Sequence, residues 1–183
     1  NISPFRLSTF GELLKWAKGK TIVNIDVKDV PVKARVDSVR KYDAFSYVMF
    51  TVHNYREANE FYSYDERCLF TAYVLDEDAL NEYEQTEIPW SNFLMAYVGS
   101  EVNEKTLKLR DLLHKKGVMV SIGLPPTYDR YSDWRDMRNE AYKRAVENGF
   151  DVLATDRPIQ FYQAVKDLLP KKSKKYKYWK TVK

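Results

Sequence analysis

The 183-residue chain is 44% hydrophobic and 31% charged, with only 6 Gly and 7 Pro, which excludes a disordered chain and fits one globular domain with a sizeable core. No stretch approaches the roughly 18 to 20 uninterrupted apolar residues of a membrane helix, and the single cysteine, Cys68, excludes an intrachain disulfide framework and a thiolate metal cage. The net charge of +4 is uneven: residues 171–183 hold seven lysines and no acid, leaving 23 basic against 26 acidic residues in the remainder.

In chain order, helical and strand signals alternate. Ser8 reads as an N-cap ahead of Phe10, Leu13, Leu14 and Ala17, with Gly19 as the stop. Residues 21–28 read as a strand, β-branched at Ile22, Val23, Ile25 and Val27. Residues 31–41 predict a second helix, 47–52 a strand, 55–64 a helix and 68–75 a third strand. A helix over 76–85 opens on Asp76, a strand follows over 93–98, and 103–116 is a helix patterned by Leu107, Leu109, Leu112 and Leu113 and stopped by Gly117. Residues 118–122 form the next strand. After the Pro125-Pro126 loop come a helix over 135–148 closed by Gly149, a strand over 152–155 and a last helix over 159–169. Pro170 separates this body, residues 1–170, from the basic tail of 171–183, where Tyr176, Tyr178 and Trp179 interleave with the lysines. Because the positive excess sits in that tail and not in a stripe on the folded surface, a nucleic-acid partner is not expected.

Six strands alternating with seven helices imply right-handed crossovers and a parallel sheet. An open doubly wound sheet and a (β/α)8 barrel share this signature. No glycine-rich turn follows an early strand, which removes support for the dinucleotide-binding open sheet. The strands alternate: Val23, Ile25 and Val27 share one face while Asn24, Asp26 and Lys28 share the other. Likewise Val48, Phe50 and Val52 point outward while Met49, Thr51 and His53 point inward. A polar line climbing toward a strand's C-terminal end is what a barrel lumen opening into an active site requires. The expected fold is therefore α/β of the (β/α)8 TIM-barrel type, with about six of its eight βα units present.

Asp26 and Lys28 lie two apart on one strand face, with side-chain bases roughly 7 Å apart. A carboxylate beside an ammonium there can be a metal ligand with a phosphate-neutralising partner, or a plain ion pair. His53, at a strand end, can be a ligand or an acid/base, or a loop histidine bonded to backbone. Tyr73, Tyr97, Ser121 and Asp156 lie near other strand ends; of these Tyr73, with His53, is a candidate for substrate contact. His114, near a helix C-terminus, reads as a structural cation, and Cys68 as packing. Thr127, Tyr128, Asp129, Tyr131, Asp133 and Trp134 make a polar-aromatic loop on the rim where barrels place substrate contacts, although plain loop chemistry, a turn followed by Ser132 or Asp133 capping the next helix, accounts for most of it. No GxSxG, HExxH or Walker pattern is present.

Two segments are familiar. The run 5–28, FRLSTFGELLKWAKGKTIVNIDVK, resembles the glycerophosphodiester phosphodiesterase family, in which a helix of the form TLEEVLEWAKGK leads into a strand ending in NIEIK or LDLK. The run 149–158, GFDVLATDRP, is similar to that family's last strand, GVDIIQTDRP, which precedes its closing helix. The resemblance implies a (β/α)8 barrel that hydrolyses phosphodiesters such as glycerophosphocholine, in glycerophospholipid metabolism, with Ca2+ or Mg2+. Asp26 then falls at a metal-binding acid and Lys28 at a lysine near the phosphate, in keeping with hard-cation chemistry.

The family's His-Arg, Glu-x-Asp and His-Asp motifs do not occur in their expected contexts, so the acid and base and most of the metal site are absent from this sequence. A barrel takes about 250 residues, and the chain begins at Asn1. The expectation is the C-terminal portion of a barrel from the third strand onward, truncated and inactive by itself. Its expected partners are a small-molecule phosphodiester and a complementing chain or domain-swapped copy, and its expected location is secreted or periplasmic. The alternative is a non-catalytic barrel-derived domain binding a phosphorylated ligand or a protein.

Overall fold

The computed structural model describes residues 6–26, 29–130 and 135–169. Its elements run α1 (Phe10–Ala17), β1 (Val23–Ile25), α2 (Val32–Lys41), β2 (Val48–Val52), α3 (Tyr55–Tyr64), β3 (Phe70–Tyr73), α4 (Glu77–Glu84), β4 (Phe93–Tyr97), α5 (Glu104–Lys115), β5 (Met119–Gly123), α6 (Arg135–Glu147), β6 (Val152–Ala154) and α7 (Pro158–Val165). Short 3-10 turns precede β4 and follow β5, at Trp90–Asn92 and Tyr128–Arg130. The six strands and seven helices read from periodicity are all present, with ends moved by a few residues.

Local chemistry sets the helix ends. The N-cap of α1 is Thr9, one residue after the expected Ser8, because Glu12 stands three residues beyond Thr9 and closes a capping box. Glu12 N–H donates to Thr9 Oγ1 at 3.3 Å, and Thr9 N–H donates to Glu12 Oε2 at 2.8 Å. Asn54 caps α3 by accepting from the amides of Arg56 and Glu57 at 3.0 and 3.1 Å. Asp76 caps α4 through the Ala79 amide at 2.8 Å, and Asn103 and Thr106 cap α5 reciprocally at 3.0 Å each. Gly117 and Gly149, the expected stops of α5 and α6, have φ of 79° and 74°, the left-handed conformation that ends a helix at lowest cost in glycine.

All strands pair in parallel, in the order β1-β2-β3-β4-β5-β6, and the sheet curls into a half-barrel with the helices outside, a partial (β/α)8 barrel. The helix-facing residues Phe50, Val52, Phe70, Ala72, Ala96, Val120 and Ile122 are buried against Phe61 of α3, Tyr83 of α4 and Leu109 and Leu113 of α5. Aromatic contacts bind this layer: Phe50 to Phe61 with centroids 4.5 Å apart, Phe70 to Phe93 at 5.4 Å, and Tyr83 to Phe93 edge-on at 5.3 Å. The outward set expected for β2 therefore fills the core. No helix among the described residues is long and apolar enough to cross a membrane. Val27, Lys28 and the tail 171–183 lie outside the described residues.

Candidate active-site rim

The concave face carries the polar line that the β1 and β2 patterns predict. Register pairs Asn24 with Met49, then Thr51 with Thr71 and Tyr73 with Tyr97 and Ser121, so these side chains stack in rows across the strands. Thr51 Oγ1 donates to Asn24 Oδ1 at 3.1 Å, and Thr71 Oγ1 lies 3.2 Å from Met49 Sδ. Thr51, Thr71 and Ser121 are buried by the curl of the sheet. Their hydroxyls make a polar floor with the rim above it.

At the C-terminal ends the row becomes aromatic. The His53 and Tyr73 rings lie 4.6 Å apart and the Tyr73 and Tyr97 rings 4.8 Å apart, both tilted. Tyr97 Oη shares a hydrogen bond with Ser100 Oγ at 2.8 Å. Gly123 on the next strand leaves room for that ring, since a Cβ there would stand 3.2 Å from Tyr97 Cε2. Asp26, exposed and one residue past β1, acts electrostatically on the same group: the Tyr73 hydroxyl is held above the usual phenol range by burial first, then by Tyr97 and the Asp26 carboxylate. Of the expected site residues, the structure thus brings Asp26, His53 and Tyr73 to one rim, while Lys28 lies outside the described residues.

His53 is anchored from behind. Its Nδ1 lies 3.4 Å from Glu57 Oε2, and its amide donates to the same oxygen at 2.8 Å, which orients the ring against Tyr73. His114 is remote from this rim, pairing through Nε2 with Asp151 Oδ2 at 2.8 Å, and Asp151 also accepts from the Val120 amide at 2.8 Å. That is the structural role expected of it. Cys68 is buried, its thiol pushed up to about 12 by burial, which makes it a packing residue and not a nucleophile.

A divalent cation needs several oxygen ligands, roughly six to eight for Ca2+. Among the described residues no group of three or more His, Cys, Asp or Glu side chains is arranged to hold a metal. Asp26 offers one carboxylate at the expected place, and His53 is engaged with Glu57. The described residues alone therefore do not make a cation site, and a cation on this rim would need further ligands from elsewhere.

Sequence reading missed one group of the rim. Asp129, which reads as ordinary loop chemistry, is 4% exposed. It accepts from Tyr142 Oη on α6, from Thr155 Oγ1 at 2.8 Å to each carboxylate oxygen, and from the Asp156 amide at 2.7 Å. This carboxylate ties the loops after β5 and β6 together. The Thr-Asp-Arg-Pro run that supplies two of its partners was the available signal.

No protein-family model matches the sequence, and no curated protein matches it significantly. Among solved structures, a glycerophosphoryl diester phosphodiesterase from Parabacteroides distasonis superposes with a TM-score of 0.88 and 38% identity, covering 97% of this chain and 62% of its own. A protein from Silicibacter pomeroyi, provisionally assigned to the same enzyme class, superposes with a TM-score of 0.59 at 16% identity, covering 87% of this chain and 56% of its own, and speaks to the fold alone. The chain therefore spans somewhat under two thirds of the solved chains that it matches.

Proposed function

We propose, for a chain whose resemblance to the glycerophosphoryl diester phosphodiesterases holds in three dimensions, that the protein it represents hydrolyses glycerophosphodiesters and that this chain supplies one wall of the active-site rim. The observation that carries the reading is the position of Asp26. It is the acid of the Asn-Ile-Asp-Val-Lys run, and it stands just past the C-terminal end of β1 beside Tyr73, on the rim where (β/α)8 barrels keep their chemistry.

In this reading a divalent cation, Ca2+ or Mg2+, polarises the phosphoryl oxygens when bound. Asp26 is one of its oxygen ligands. Lys28 brings a positive charge toward the phosphate, and His53 and Tyr73 form the substrate-facing surface, with Glu57 fixing the imidazole. The other ligands and the acid and base come from residues beyond this chain, either in a longer protein or on a complementing or domain-swapped copy. The reading extends to glycerophospholipid breakdown and to a secreted or periplasmic location, which cell fractionation tests. The absence of a three-ligand cluster among the described residues favours one competing reading, a non-catalytic domain that binds a phosphorylated ligand.

One assay separates the two. The whole protein is expected to release glycerol 3-phosphate from glycerophosphocholine, to stop in EDTA and to resume with Ca2+ or Mg2+. Asp26→Ala should weaken cation affinity by more than the roughly 10–100-fold that loss of an outer-shell partner costs. No turnover with either cation sinks the phosphodiesterase reading, and an unchanged cation affinity in the variant removes Asp26 from the site.

A further inference from the structure

The loops after β5 and β6 line an open cleft of about 610 Å3, separate from the Asp26–Tyr73 contact and bordered by Pro125, Pro126, Asp129, Arg130, Asp156 and Arg157. Its walls are held rigidly. Asp129 bonds to Tyr142, Thr155 and the Asp156 amide, the Arg157 amide donates to Thr155 Oγ1 at 3.0 Å, and the Asp129 and Arg130 amides donate to Leu124 O and Thr127 O at 3.0 Å each. Pro125, Pro126 and Pro158 fix the backbone at three more points. Each arginine thus follows directly after a residue locked into this network.

The two guanidiniums are not used by the fold. Arg130 and Arg157 make no side-chain hydrogen bond or ion pair among the described residues, although Asp156 lines the same cleft. Of the other arginines, Arg6, Arg40, Arg67 and Arg110 pair with acids and Arg35 and Arg56 lie over the rings of Phe61 and Tyr55. Asp129, the other acid of the cleft, has its oxygens filled by Tyr142, Thr155 and Asp156. What faces the cleft is two donor forks, each shaped for an oxyanion, and one carboxylate able to accept from a neighbouring donor.

We propose that this cleft is a subsite for the alcohol half of the diester, taking an oxyanion on Arg130 and Arg157 and an adjoining ammonium or hydroxyl on Asp156. A serine headgroup, with its carboxylate beside an ammonium, has that pattern; a choline headgroup has the cation without a second anion. The assignment of the ligand to the alcohol half rests on the phosphodiesterase reading, whereas the affinity of the cleft for the oxyanion does not.

The test is therefore a binding measurement on the whole protein in EDTA, by calorimetry, with glycerophosphoserine and glycerophosphocholine as probes. Glycerophosphoserine should bind about 10–100-fold more tightly, the range expected for charge-assisted hydrogen bonds to guanidinium. The double variant Arg130→Gln/Arg157→Gln should erase that preference, weakening serine-headgroup binding by about 10–100-fold more than choline-headgroup binding, and Arg157→Lys should retain part of it. Matching thermal melts establish that the variants fold. Equal binding of the two probes by the wild type, or a preference that survives the double variant, overturns the subsite. A protein that shows the preference yet has no EDTA-sensitive turnover would lose the phosphodiesterase reading and with it the alcohol-half assignment, and would keep only the affinity of the cleft for the oxyanion.

Discussion

Asp26 and Asp129 are both carboxylates near the C-terminal rim, and their surroundings give them different work. Asp26 is exposed beside Tyr73, whereas Asp129 is enclosed and holds two loops. The Tyr142 hydroxyl that Asp129 accepts from is pushed up to about 12, by burial first and then by this hydrogen bond, since ionising it would set a phenolate against the carboxylate. Cys68 is likewise pushed up to about 12 by burial. Both values lie above the ordinary 10.0 and 9.0, so in alkali the folded state keeps protons that the unfolded state has lost. The stability they contribute is complete below about pH 9 and declines as pH rises toward about 12. Urea melts at pH 8, 10 and 11 should show midpoints falling in that order, with Cys68→Ala removing the earliest part of the fall; a flat profile would show that neither group is enclosed. The two acids also differ in how visible they are in sequence. Asp26 could be placed because a strand's period of two assigns its face. Asp129 could not, because its partners Tyr142, Thr155 and Asp156 are 13, 26 and 27 residues away across a loop with no period.

At the scale of elements, alternation was legible and boundaries less so. The starts of α1, α3, α4 and α5 depend on which side chain reaches an open amide. At α1 the Ser/Thr-x-x-Glu spacing selects Thr9 with Glu12, where Ser8 would have met Gly11. β1 and β6 are the shortest strands, three residues each, and among the described residues each has a neighbour on one side only. The glycine stops were readable because a helix that ends on a left-handed residue does so at lowest cost in glycine. Gly117, between α5 and β5, isolates this effect: its φ is 79° and a Cβ there would meet nothing within 4 Å. Gly117→Ala should therefore cost about 1–2 kcal/mol, the price of a left-handed alanine and nothing else, and Gly117→Asn should cost less. Denaturant melts of the two variants check this, and an alanine variant as stable as the parent would mean that the α5–β5 turn has another conformation open to it.

At the scale of the whole molecule, the described residues form a sheet with two unpaired edges, β1 and β6, and apolar side chains stand exposed beside both. Trp16 and Ile22 flank the first edge at 58% and 56% exposure; Ile159 and Tyr162 of α7 flank the second at 69% and 59%. Covering a large apolar side chain fully is worth about 1.5–3 kcal/mol, so completing the burial of residues already partly covered yields about 1 kcal/mol each. Over both edges this amounts to several kcal/mol, a substantial fraction of the roughly 5–15 kcal/mol that holds a domain together. Two open edges with apolar flanks are also templates for strand addition. The 183-residue chain in isolation should therefore self-associate, its sedimentation coefficient rising with concentration, and Ile22→Lys with Ile159→Lys should suppress the rise by charging both flanks. If the chain instead sediments as a monomer at all concentrations, its edges are protected by the chain itself. In that case no complementing strand is needed for solubility, and the need for one would have to be argued from the rim alone, where Asp26 would be one carboxylate among the several oxygen ligands that the proposed cation requires.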